Sequence, residues 1–101
     1  MDVVFLAPAQ AELAEAVVYY NAQREGLGEE FAEEVQHTIA RIIEYPEAWS
    51  LLSRRTRRCP TKRFPYGVIY QVLDDTLLII AVMHLHRAPH AWRSRLPRRE
   101  Q

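Results

Sequence analysis

The chain has 101 residues, 49% apolar and 10% aromatic, with thirteen basic and thirteen acidic residues and no net charge. That composition suits one foldable domain, residues 1–101, with a modest core, and it excludes a disordered chain. The start "MDVVFLAPAQAELAE" turns polar too early for a signal peptide, "TLLIIAVMHL" is too short to cross a bilayer as a helix, and the lone Cys59 has no disulfide partner in the chain, so a cytoplasmic protein without membrane contact is expected.

In chain order, "VVFL" at Val3–Leu6 reads as a short strand. Pro8 then suits a first helical turn, and Leu13, Ala16, Val17 and Tyr20 recur at helical spacing. "EGLG", Glu25–Gly28, breaks the helix, with both glycines expected to supply left-handed capping geometry. A second helix is expected from about Glu29, with acidic residues in its first turns and a buried stripe of Phe31, Val35, Ile39, Ile42 and Ile43, ending at Pro46. "PEAWSLLS" reads as a loop. "RRCPTKRF" reads as an edge strand or irregular segment, because Pro60 and Pro65 lack ladder donors. Tyr66–Leu73 and Thr76–Leu85 are the strong strands, joined by a tight turn at Asp74–Asp75.

The expected architecture is therefore α+β, strand–helix–helix–strand–strand–strand, with an antiparallel-rich sheet packed on a helical hairpin. A short basic tail from about Arg93 is expected to fray. Simple alternation sends Leu77, Ile79, Ala81, Met83 and Leu85 to one face and Leu78, Ile80, Val82 and His84 to the other. Both faces are apolar and the hairpin covers only one. A partner is expected to cover the second, leaving the isolated chain prone to aggregation.

The neutral total hides a division. Residues 1–50 carry ten acidic and two basic side chains, and residues 51–101 carry eleven basic and three acidic ones. Either acidic helices neutralise a basic sheet, or a basic face awaits an acidic partner. The run "RRTRRCPTKR" is likewise either a polyphosphate-binding stripe or a charged edge strand, and its spacing matches no base-reading motif.

The densest chemistry is "HLHRAPHAW", His84–Trp92. His84, His86 and His90 could hold Zn²⁺, but no acidic residue or cysteine stands near them and Arg87 repels a cation, so no metal or other cofactor is expected. The same histidines with Arg87 could serve metal-independent ribonuclease chemistry. The arginine beside Cys59 could lower its pKa, though no partner for thiol catalysis is visible.

"KRFPYGVIYQVLDDTLLIIAVMHLHRAPHAWRSR" resembles the RelE/ParE superfamily of toxins from type II toxin–antitoxin modules. The likeness is carried by Arg63, Phe64, Pro65, Tyr66 and Tyr70, then by His84, Arg87, Pro89, Trp92, Arg93 and Arg95. "YYNAQREGLGEEF" and "YPEAW" extend it over nearly the whole chain. The resemblance implies a cognate antitoxin whose acidic tail folds onto the toxin, with Arg63, Tyr66, Tyr70, His84, Arg87, Trp92, Arg93 and Arg95 as candidate antitoxin- or target-binding residues. One branch of the superfamily cleaves messenger RNA on the ribosome; the other poisons DNA gyrase. As aligned, the ribonuclease branch has arginine where this chain has Gly67, and often has lysine where this chain has Pro60. Its candidate catalytic groups would be Arg58, Lys62, His86 and Arg87, and nothing matches the branch's C-terminal proton-transfer group. The ParE-like gyrase inhibitor is therefore expected. A ribosome-dependent ribonuclease and a decayed or repurposed binding protein are the alternatives.

Overall fold

A computed structural model describes residues 1–87 and 90–100. The elements run β1 (Asp2–Phe5), α1 (Ala7–Gln23), α2 (Leu27–Glu44), β2 (Ser50–Leu51), β3 (Arg57–Pro60), β4 (Tyr66–Leu73) and β5 (Thr76–His84). Two 3₁₀ turns follow, Ala91–Arg95 and Arg98–Glu100. The five strands form one sheet in the order β1-β5-β4-β3-β2. Only β1 lies parallel to its neighbour β5; the other pairings are antiparallel.

The helical hairpin forms as the spacing predicts, with two adjustments. Only Gly26 is left-handed, at φ 87°. Gly28 lies inside α2, where a Cβ would collide with the Val17 carbonyl and the Asn21 side chain of α1. It is there for close helix approach, and its N–H donates to Asn21 Oδ1 at 2.8 Å. Phe31, Val35, Ile39 and Ile42 are buried as expected, whereas Ile43 is exposed. The loop expected after Pro46 contains the extra strand β2. As a result β3 is an inner strand rather than the edge, and Pro60 is tolerated because it sits at the strand's last position, opposite Gly67.

Simple alternation fails along β5. Tyr70 pairs with Ile79 and Ile69 pairs with Ala81, leaving Ile80 as an extra residue, a β-bulge. One inserted residue reverses which face the following side chains meet. Leu77 and Ile79 face the helices, and after the bulge so does Val82, all within a cluster with Tyr20, Phe31, Val68 and Tyr70. Ile80 and Ala81 pack on the opposite face, with Leu78 and Met83 beside them.

That second face is covered from within the chain. Trp92 and Leu96 are buried against Ile69, Ile80 and Ala81. The expected frayed tail is instead a strap, and the expected need for an outside partner to cover this face does not hold for these residues. The strap is fixed at the bulged edge of β5. Leu6 N–H reaches Ile79 O, and there the pairing with β1 stops. Beyond it Arg95 Nη1 donates to Ile80 O at 2.9 Å, and Val82 N–H donates to Glu12 Oε1 at 3.0 Å. Arg95 also forms a two-pronged pair with Glu12, at 2.8 Å on each prong. An ion pair thus satisfies backbone groups that no neighbouring strand reaches. Among the described residues, no helix is long and apolar enough to cross a membrane.

Candidate functional site

The register of β4 against β5 sets Tyr66 opposite His84. Because the bulge lies upstream, His84 shares the helix-side face with Tyr66, their rings 5.5 Å apart edge to face. His86 stacks next, 5.8 Å from His84, and its N–H donates to His84 Nδ1 at 3.2 Å. α1 contributes Tyr19, half exposed, from the neighbouring wall. Together Tyr19, Tyr66, His84 and Arg87, with Glu12 and Glu15 behind, line a cleft of about 330 Å³. Aromatic faces beside a guanidinium suit a partner carrying apolar side chains and carboxylates or phosphates.

Two titratable groups of the cleft, Tyr66 and His84, are shifted by their burial and by Arg87. Burial pushes the Tyr66 hydroxyl pKa up, with the Arg87 charge pulling the other way. Burial also pushes His84 down, reinforced by Arg87 and His86, so its imidazole is neutral at pH 7. Among the described residues, no group of three or more His, Cys, Asp or Glu side chains is placed to hold a metal ion.

On the other face, Arg58 lies beside Gly67. A Cβ at Gly67 would come within 3.0 Å of the Arg58 and Leu85 side chains. The glycine therefore makes room for side chains of its own chain. The β-bulge lies at Ile80 in β5. Arg58, His84 and Arg87 border one small recess. Lys62 and His86 lie outside it, and the Lys62 backbone N–H is held by Glu34 Oε2 at 3.1 Å. The four ribonuclease candidates are thus not gathered into one constellation.

The other candidates divide by location. Arg63 is exposed and bonded to Glu30 at 2.8 Å; this bond, followed by that from Arg24, holds the Glu30 carboxyl below its usual pKa. Tyr70 is interior, its hydroxyl donating to Pro46 O at 2.6 Å and pushed up to about 12, chiefly by burial. Trp92 is buried under the strap, with the Arg93 guanidinium 4.9 Å from its ring. Arg95 is bound to Glu12. Pro89 lies outside the described residues. Cys59 is fully buried, and burial raises its pKa despite Arg41 nearby, against the lowering expected from sequence. Sequence reasoning missed Glu12 and Tyr19. Neither has a local signal, since each looks like an ordinary residue on an exposed helix face.

No curated protein sequence matches the chain. Among solved structures, a chain titled "Chromosomal ParDE TA system from P. aeruginosa" superposes with a TM-score of 0.72. It is 11% identical, and the match covers 83% of this chain and 95% of that one. That likeness establishes a shared fold. The family model for the ParE toxin of the type II toxin–antitoxin system parDE matches residues 3–89, a span that holds both helices, all five strands and the Tyr66–His84–Arg87 cleft; the chain therefore belongs to the ParE toxin family.

Proposed function

We propose that this type II toxin acts by binding DNA gyrase without cleaving nucleic acid, and that a cognate antitoxin neutralises it. The observation that carries the reading is the recess around Arg58 and Arg87. It offers two cations, but its one other titratable group is His84, whose Nδ1 already accepts a hydrogen bond from the His86 N–H. Metal-free cleavage of RNA needs an acid and a base beside the cations. Losing one transition-state donor alone typically costs about 10²–10³ in rate. The exposed cleft with Tyr19, Tyr66 and Arg87 is the surface assigned to partner contact. The basic second half of the chain favours an acidic antitoxin segment.

The test is a plasmid supercoiling assay with gyrase, run beside a ribosome-dependent mRNA integrity assay. Inhibited supercoiling with intact mRNA, relieved by the product of the neighbouring antitoxin gene, is expected. Codon-specific mRNA cleavage with unaffected supercoiling would move the role to Arg58 and Arg87 as ribonuclease cations.

A further inference from the structure

A second cleft, of about 830 Å³, lies away from the Tyr66–His84 end, where the end of α2 meets β2 and the far end of β4. Four of the chain's exposed large apolar side chains border it: Tyr45 at 59%, Leu51 at 58%, and Val72 and Leu73 at 38% each. β2 closes the sheet there, and among the described residues no strand lies on its outer side.

The charges of the cleft fall in two groups. Glu44 and Glu47, from the end of α2 and the loop after it, and Asp74, from the β4–β5 turn, are acidic. Arg54, Arg55 and Arg57, from the β2–β3 turn and β3, are basic. Arg57 is taken up by the Trp49 carbonyl and Arg55 by Glu100. Among the described residues, no ion pair joins Arg54 to Glu44, Glu47 or Asp74. A purely acidic segment entering here would meet three carboxylates, and a purely basic one three guanidiniums. The favoured occupant carries both signs in equal number around an apolar centre.

The chain itself does so. We infer that this corner is a self-complementary interface on which a second copy of the chain docks about a twofold axis beside β2. An isologous contact sets each patch against its own image, so the acidic wall of one copy meets the partner's Arg54 while Leu51 and Val72 are buried between them. The absence of net charge leaves no long-range repulsion between copies. Twofold pairing also gives the open side of β2 a backbone partner. The interface leaves the Tyr66–His84–Arg87 cleft free, so a dimer would present two such clefts.

The test is a concentration series of the purified full chain by light-scattering mass measurement, with Arg54→Glu and Glu47→Arg. Both residues are exposed, and circular dichroism checks that the variants fold. A dimer is expected for the unaltered chain. Each charge reversal should weaken dimerisation by about tenfold or more, because like charges then face each other twice. An equimolar mixture of the two variants should restore the dimer, since every facing pair becomes opposite in sign. Leu51→Lys should also give a monomer. Any mass for the unaltered chain other than a dimer's overturns the inference. So does a dimer untouched by the reversals, or a mixture that pairs no better than either variant alone.

Discussion

The helix side of the sheet is filled by side chains from two long helices, with Ala9, Ala16 and Tyr20 from α1 meeting Phe31, Val35, Ile39 and Ile42 from α2. The opposite side is covered by a short strap that contributes Trp92 and Leu96 and is fixed chiefly by the Glu12–Arg95 pair. The first cover spreads its burial over many turns of regular helix. The second concentrates it in a few groups near the chain's end. Local opening follows the density of buried contacts, so the strap side should open at lower free energy than the helix side.

The sharpest way to break that contrast is to cut each side at a large buried side chain. Phe31→Ala should destabilise the whole fold by about 3–5 kcal/mol, measured by urea unfolding. A loss under about 1 kcal/mol would mean that the helix side is not what holds the molecule together. Trp92→Ala should cost about 3 kcal/mol, the low end for such truncations, because a terminal strap can settle into the gap. Hydrogen exchange should show Arg93–Leu96 losing protection while α2 keeps its own. Equal loss in both places would make the two sides one cooperative unit.

Glu12→Ala tests the fastening itself. Breaking a fully buried pair typically costs about 3–5 kcal/mol, and this one is partly exposed, so about 1–2 kcal/mol is expected. A double-mutant cycle with Arg95→Ala should show the two losses to be strongly non-additive. Additive losses would mean that the pair does not fasten the strap.

The smallest effect belongs to Tyr70 on the helix side. Tyr70→Phe removes the bond to Pro46 O and should cost about 1 kcal/mol at neutral pH. The Tyr70 hydroxyl is raised to about 12, so the folded state holds its proton more tightly than the unfolded state does. Its contribution to stability is complete below the ordinary tyrosine pKa of about 10. It is lost as the pH rises through the folded value of about 12. Alkaline unfolding curves of the unaltered chain and Tyr70→Phe should converge across that interval; parallel curves would contradict the raised pKa.

The same contrast explains what was legible in the sequence. α1, α2, β4 and β5 announce themselves because many residues repeat one period, and α2 departs from the expectation only at its start, where Gly28 is helical, and at Ile43. β2 escapes because two residues carry no period. The strap escapes because "RSRLPRREQ" looks like a solvated basic tail. Its order rests on Trp92, on Leu96 and on a pair with Glu12 far away in the chain. The bulge escapes because every residue around Ile80 is apolar, so the polar–apolar contrast that would reveal a change of face is missing. That reversal puts His84 beside Tyr66 and α1. Among the candidate contact residues, Tyr66, His84 and Arg87 line one cleft, and nothing in the sequence set these three apart from the other five. That Tyr70, Trp92 and Arg95 lie inside was not readable, because their partners are the Pro46 carbonyl, the sheet and Glu12.

The Glu12–Arg95 pair joins residues 83 apart in the chain. During synthesis the amino-terminal parts fold first. The helical hairpin can form before Arg95 exists, but the strap cannot close. Until the final residues emerge, Ile69, Ile80 and Ala81 stay uncovered and the Val82 N–H lacks its fastened acceptor. The nascent toxin therefore passes through an interval in which its second apolar face is open. A protein that binds that face meets it most readily on the chain still being made.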